Sequence, residues 1–304
     1  MRGLSYIGLL KVFEEEKIPI DYVAGSSIGA VIGAFYCAGM HAKDMESLVS
    51  SVKWEDFMDF TCGYTGLIDG RKIEDFIRKN LAVKRFEGLY TPLAAIAVDV
   101  NTGEEIIFEK GDVAEAVRAS ISIPGVFTPV KIGRRTLVDG GIIDPVPIDA
   151  LKGKVDRIIA VDLSVPAEQY AHARAVDGKN VTWLQFKTKL ITQEVANLKD
   201  YLKREHAFPR IFLRLLNPKY ALRLLQGKPI SALPMFETAL KAHHLITNEL
   251  IRMKLEKYKP DLLIRIGIKE ARFIEFDKFS YLIGKGEEAA RLNLKAIKRL
   301  AKLP

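Results

Sequence analysis

The chain has 304 residues, 48% of them hydrophobic and 28% charged, and its 46 Lys and Arg against 38 Asp and Glu leave a net charge of +8. This balance supports a packed core and excludes a chain dominated by disorder, and the length admits one large α/β domain or two small ones. Two cysteines, Cys37 and Cys62, and five scattered histidines exclude a disulfide framework and leave few ligands for a metal centre.

Cysteine usage points to a reducing, cytoplasmic compartment. No signal peptide is expected, because Met1 leads directly into an amphipathic stretch with Lys11 and three successive glutamates. No apolar run reaches the roughly 20 residues that cross a bilayer, so any membrane contact is expected to be peripheral.

The spacing of Leu4, Ile7, Leu10 and Phe13 predicts a helix over residues 4–16. A short strand over 20–24 and an uncharged helix over 28–40 follow, joined at Gly25-Ser26-Ser27-Ile28-Gly29. Ile73, Phe76, Ile77 and Leu81 predict a helix over 70–82, and the unbroken apolar run 91–100 predicts a strand buried on both faces. After the turn Asn101-Thr102-Gly103 a second strand runs from 105 to 109. A short helix over 114–120 stops before Pro124, and a strand ends at Leu137-Val138, immediately before Asp139-Gly140-Gly141. Residues 157–163 and 262–268 read as further strands, and a basic amphipathic helix begins near Gly286. Strands alternating with helices predict a three-layer α/β/α domain with a mostly parallel central sheet.

One stretch departs from this pattern. Residues 167–230 read as helical and basic, and positions 171–230 carry twelve Lys and Arg against four Asp and Glu. We expect a helical insertion within a single domain spanning 1–304. Leu184, Ile191, Val195, Leu198 and Leu202 form its apolar stripe, flanked by Lys187, Lys199, Lys203 and Arg204. That pattern fits a helix packed on the core with its charges solvated, and it also fits an interfacial helix resting on anionic lipid. Aromatic residues are not interleaved with the basic ones, which argues against nucleic acid.

The five residues 25–29 fit G-x-S-x-G. A nucleophilic serine must stand on a sharp strand-to-helix turn with its hydroxyl exposed, and glycines two places to either side remove the Cβ atoms that such a turn would crowd. The helix that follows directs its positive end at a developing oxyanion, and the Ile28 N–H at its start is a candidate donor. Ser27 sits at the middle of the glycine frame, whereas the rival serines Ser26 and Ser122 do not. The pattern is also that of a Gly/Ser-rich turn that merely caps a helix.

A serine needs a base. His41 lies beyond the far end of the elbow helix, and His172, His206, His243 and His244 fall in the helical, basic part. None follows a predicted strand. Asp139 does, with Gly140 and Gly141 letting the chain turn and another group approach. In an open parallel sheet it would share an edge with Ser27. Burial raises a carboxyl pKa and makes it a better base. On the residues alone an Asp-Gly turn explains Asp139 equally well.

GSSIGA at the elbow, PLAAIAVDVNTGEEIIFEKG, AVRASISIPGVFTPV, VDGGIIDPVPIDAL around Asp139, DRIIAVDLS, and finally PDLLIRIGI and FDKFSYLIGKGEEAA together resemble the patatin-like phospholipase family. The resemblance covers nearly the whole chain outside 167–230. It implies a lipid acyl hydrolase with a Ser-Asp dyad, no histidine and no metal or other cofactor, with Ser27 as nucleophile and Asp139 as base. The family also opens with a strand and a glycine-rich oxyanion loop, G-G-G-x-R-G. This chain begins Met1-Arg2-Gly3-Leu4, so only Arg2 and Gly3 match the loop. Either translation begins farther upstream, which is the expectation preferred here, or this form is crippled.

The expected function is hydrolysis of carboxylic esters of lipids, phospholipids or lysophospholipids, by the Ser27-Asp139 dyad through an acyl-enzyme. The alternatives are a lipid-binding pseudoenzyme and a Ser-His-Asp α/β-hydrolase. The elbow helix and Ile121-Ser122-Ile123-Pro124 are expected to line the acyl groove.

Overall fold

Leu93 to Asp99 forms the spine of the protein, a strand with all seven residues buried. The computed structural model describes residues 2–52, 57, 59, 61, 66–164, 234–268 and 279–302. By internal packing the chain divides into two compact units, residues 1–169 with 246–304, and residues 170–245. The expected basic helices of 167–230 lie outside the described residues.

In chain order the elements are α1 (Ser5–Glu15), β1 (Val23–Ser26), α2 (Ile28–Cys37), α3 (Ala42–Ser51), β2 (Gly66–Ile68), α4 (Arg71–Asn80), β3 (Leu93–Asp99) and β4 (Glu105–Phe108). Then follow α5 (Val113–Ser120), β5 (Gly125–Phe127), β6 (Val130–Ile132), β7 (Arg135–Asp139), β8 (Ile159–Asp162), α6 (Pro234–Tyr258), β9 (Leu262–Arg265), α7 (Phe279–Leu292) and α8 (Leu294–Leu300). A single 3₁₀ turn, Arg2–Leu4, precedes α1.

The α/β class is as expected, and the central sheet is mixed. β1 runs parallel to the first half of β3, with Val23 opposite Leu93 and Ser26 opposite Ile96. β7 runs antiparallel to the second half, with Asp139 opposite Ala97 and Leu137 opposite Asp99. β4 pairs with Ala95 to Val98 and so overlaps both registers. It must therefore occupy the opposite edge of β3, because a strand has only two edges. β1 and β7 thus share one edge and run toward each other, so their carboxyl ends meet where Ile96 joins Ala97. β6 extends the sheet beyond β7, while β2–β5 and β8–β9 form separate parallel pairs.

Side chains of β3 alternate between two faces. Leu93 and Ala95 join the large cluster that contains Ala30 and Ala34 of α2 and Ala116 and Val117 of α5. Ala94 and Ile96 face Tyr22, Ala24 and Ala150. Beyond Ala150, Val146 and Ile148 pack with Ala160 and with Ile251 of α6. Helices α1 and α7 meet at backbone contact: a Cβ on Gly8 would stand 1.9 Å from the Ile283 carbonyl oxygen, and one on Gly286 1.8 Å from that of Ser5. Among the described residues β1 pairs only with β3, and β8 only with β9.

Candidate active site

Ser27 occupies the joint between β1 and α2, at φ 54° and ψ −126°. This is a conformation L-residues rarely adopt, and its presence at the centre of the glycine frame marks a turn held under strain. The turn needs Gly25, since a Cβ there would lie 2.5 Å from the Gly29 carbonyl carbon and 2.7 Å from the Ala30 nitrogen. Gly29 is less constrained, because a Cβ there would meet only the Tyr6 ring, at 3.7 Å. The turn is fastened by the Ser27 N–H, which donates to Ser120 Oγ at 2.9 Å. Its carbonyl accepts from Ala30 and Val31 in the first turn of α2.

Ser27 Oγ donates to Asp139 Oδ2 at 2.6 Å. Ser27 is half-buried, and Asp139 is 3% exposed. The residues are 112 apart in sequence and are brought together by the meeting of β1 and β7 at adjacent positions of β3. A parallel arrangement of their strands is not required. Asp139 Oδ1 accepts from the Gly141 N–H at 2.7 Å, and the Asp139 N–H donates to the Ser122 carbonyl at 3.0 Å. Gly140 lies against β3, where a Cβ would stand 2.3 Å from the Ile96 carbonyl oxygen. Burial, the largest cause, pushes the Asp139 carboxyl up to about 6, against the opposing pull of the Ser27 and Gly141 hydrogen bonds. Such a carboxylate is ionised at neutral pH and is a stronger base than one in water.

Ile28 opens α2, and no acceptor is found for its N–H among the described residues. The first N–H groups of a helix are unpaired within it and carry the positive end of its dipole. Gly3 packs on the Ile28 side chain so closely that a Cβ would stand 2.1 Å from Ile28 Cγ2. Arg2 begins the same 3₁₀ turn. The three candidate oxyanion residues therefore belong to two segments that touch at Ile28.

Ser26 and Ser122 have other partners. Ser26 Oγ donates to the Asp144 carbonyl. Ser122 Oγ donates to the Arg118 carbonyl at 2.8 Å and accepts from the Arg118 guanidinium at 2.6 Å. Arg118 is itself buried and also donates to the Thr128 carbonyl at 2.9 Å. His41 precedes α3, its ring largely exposed and 3.5 Å from Glu14 Oε1. His243 and His244 fall within α6, in the unit formed by residues 170–245. His172 and His206 lie outside the described residues.

A cleft of about 1030 Å³ adjoins the elbow, lined in part by Leu9, Phe13, Ser26, Gly29, Ile32 and Tyr36, and bounded by residues 145–148, 151 and 153–161. Neither Ser27 and Asp139 nor Ile121 to Pro124 belong to its wall. That segment instead lies behind Asp139, through the Ser122 carbonyl. Glu105, Asp144 and Asp149 form the one described group of carboxylates with the spacing of metal ligands. The Lys254 ammonium already stands 2.9 Å from Asp144 Oδ2 and 2.7 Å from Asp149 Oδ2.

Two further residues shape the site without a motif of their own, Ser120 and Lys254. Ser120 lies in AVRASISIPGVFTPV, two places before Ser122, and that neighbourhood is its one sequence signal. Nothing local marks Lys254.

Comparison with known proteins gives three kinds of match. A family model described as patatin-like phospholipase matches residues 1–152. An uncharacterized NTE family protein of Mycobacterium tuberculosis strain H37Rv is 28% identical over 322 aligned positions, covering 97% of this chain and 89% of that protein. Lysophospholipase NTE1 of Candida albicans is 30% identical over 170 positions, covering 53% of this chain and 12% of that protein. Among solved structures, VipD from Legionella pneumophila matches with a TM-score of 0.44 at 12% identity, over 97% of this chain and 65% of that one.

Proposed function

The chain belongs to the patatin-like phospholipase family, and we propose that within it this protein hydrolyses lipid carboxylic esters through an acyl-enzyme on Ser27, with Asp139 as the only base. Lipid acyl hydrolysis is the activity of the family, and the observation that carries the residue assignment is the 2.6 Å bond from the strained Ser27 to a buried carboxylate.

As Ser27 Oγ attacks the ester carbonyl carbon, its proton passes to Asp139 Oδ2. The carbonyl oxygen becomes an oxyanion, for which the Ile28 N–H at the start of α2 is the first donor to consider and the Arg2–Gly3 turn the second. When the tetrahedral intermediate collapses, the alcohol leaves with the proton held by Asp139, and the acyl group remains on Ser27. Water then gives a proton to Asp139 and attacks the acyl carbon. Collapse returns that proton to Ser27 Oγ and frees the carboxylic acid.

Phospholipids and lysophospholipids are the proposed substrates. The lysophospholipase name of the Candida relative supports this choice. No helix among the described residues is long and apolar enough to cross a membrane, and the surplus of basic residues at 171–230 supports peripheral contact with anionic lipid from the cytoplasmic side.

A fluorophosphonate ester tests the assignment. It should label Ser27 covalently, and Ser27→Ala should abolish both labelling and hydrolysis of a lysophospholipid. Hydrolysis undiminished in Ser27→Ala, in protein free of contaminating esterase, overturns it. Lipid binding without labelling of the unaltered chain would instead identify a lipid-binding pseudoenzyme.

A further inference from the structure

Asp144 lies five residues beyond Asp139, and its side chain is fully buried. Its backbone joins the two halves of the dyad from behind. The Asp144 N–H donates to the Gly140 carbonyl at 2.8 Å, one residue after Asp139. The Asp144 carbonyl accepts from Ser26 Oγ, one residue before Ser27. A closed path therefore runs from Ser27 through Ser26, Asp144 and Gly140 to Asp139, and Pro145 stiffens the chain where it leaves that path.

The Asp144 side chain is tied to a distant element. Lys254 Nζ on α6 stands 2.9 Å from Asp144 Oδ2 and reaches Asp149 Oδ1 and Oδ2 at 2.9 and 2.7 Å. The lysine side chain is 17% exposed. Ile251, one helical turn earlier, packs with Val146, Ile148 and Ala160, so the ammonium is delivered from a fixed backbone. Glu105 on β4 is the third carboxylate of the group. Lys254 hydrogen-bonds to Asp149, and neither Asp144 carboxylate oxygen has a hydrogen-bond partner among the described residues, so the ion pair with Lys254 at 2.9 Å is what compensates this buried charge.

We infer that Lys254 is a positioning residue for the reaction: by pinning the Asp144 carboxylate it holds the turn that carries Asp139 in register with the elbow that carries Ser27. The inference rests on the dyad reading above. Removing one partner of a buried ion pair leaves the other charge uncompensated, and the chain around it must shift or the group must take up a proton. Here the chain that would shift is Gly140 to Asp144. A small displacement of a base from its nucleophile is costly in rate even where substrate binding is unchanged.

The groups facing Asp144 are Lys254 from α6, Asp149 from the turn after Ile148, Glu105 from β4 and the Ser26 hydroxyl from β1. Burial, the largest cause, holds the Asp144 carboxyl above the usual carboxylate range, with Lys254 pulling the other way and Asp149 adding to the rise. Asp144 and Asp139 are both held above the usual carboxylate range, so protonation of Asp144 would loosen the pin as pH falls.

The test compares Lys254→Met, Lys254→Arg and Asp144→Asn with the unaltered protein, using lysophospholipid turnover and fluorophosphonate titration of Ser27 to count active sites. Per active site, Lys254→Met should lower kcat at least tenfold with KM changed less than twofold, and Lys254→Arg should restore most of the loss. Asp144→Asn keeps the backbone bonds to Ser26 and Gly140 and should lower kcat similarly. The acid limb of its pH profile should fall with one proton, whereas the unaltered protein should show a steeper limb. If Lys254→Met does not fold, Asp144→Asn carries the test alone. Unchanged kcat and an unchanged acid limb in the folded variants, while Ser27→Ala is dead, overturn the positioning role. Residual labelling of Ser27→Ala would instead sink the dyad assignment.

Discussion

Replacing Asp139 with Asn should destroy activity and stabilise the fold, and the two effects have one cause. Asp139 is 3% exposed and its carboxyl is pushed from 3.8 up to about 6, chiefly by burial. A group whose native pKa exceeds its unfolded one favours the native state while it is protonated. That advantage is complete below pH 4 and is lost as pH rises through 6, because the native state must then hold a buried charge. The displacement corresponds to about 3 kcal/mol. Asn is neutral at every pH and matches the carboxyl in shape. Its Oδ1 can accept from the Gly141 N–H, as the carboxylate does, while its amide faces Ser27 Oγ. The difference in stability between Asp139→Asn and the unaltered protein should therefore be near zero at pH 4 and grow to as much as about 3 kcal/mol at pH 7 to 8, roughly 2–4 °C in Tm for each kcal/mol. Urea unfolding at a series of pH values measures it, and hydrolysis by the same samples should be lost. A stability difference that does not change between pH 4 and pH 8 would refute the argument that this carboxylate is held ionised against its burial.

Three further outcomes follow from the geometry. Ser120→Ala removes the acceptor of the Ser27 N–H and should slow fluorophosphonate labelling while destabilising the fold by about 1–3 kcal/mol, as read from the labelling rate and from urea unfolding. Gly25→Ala places a methyl group 2.5 Å from the backbone of Gly29 and should cost more than about 2 kcal/mol and abolish labelling, whereas Gly29→Ala, with only the Tyr6 ring at 3.7 Å, should keep most of its stability. Binding to vesicles should rise with anionic lipid and fall with salt if the basic residues of 171–230 meet the membrane; equal binding to neutral and anionic vesicles would contradict that contact.

Much of this arrangement can be read from sequence because its signals are local. The unbroken apolar run around Leu93–Asp99 and the spacing of Leu4, Ile7 and Leu10 need no tertiary knowledge. Other elements carry too little local signal. β2, β5 and β6 have three residues each, too few for an alternation to show, and α3 and α6 were not picked out. The last helical region begins at Phe279 and breaks at Asn293 into α7 and α8, rather than beginning near Gly286. Gly284 and Gly286 disguise its first turns, and Gly286 is required there by the Ser5 carbonyl of the crossing helix. At the site, the glycine frame marks Ser27, but the roles of Ser120 and Lys254 are created by contacts 93 and 105 or more residues away in sequence, which no spacing rule reaches. The orientation of β7 was hidden for the same reason, since strand direction belongs to pairing and not to composition.

Because β1 and β7 abut on one edge of β3, the separation of nucleophile and base is measured along β3 and not across the sheet. The peptide from Ile96 to Ala97 acts as the ruler on which the site is laid out. One residue inserted there would lengthen the ruler by about 3.3 Å, drawing the two functional groups apart while leaving each in its own turn. An insertion of the same size between α3 and α4 or in the hairpin after β3 would leave that interval untouched. The loops between Ser27 and Asp139 can thus drift in length as long as β3 keeps its count and Ser120 and Ser122 keep their places behind the two turns, a narrow tolerance lodged in residues that perform no chemistry.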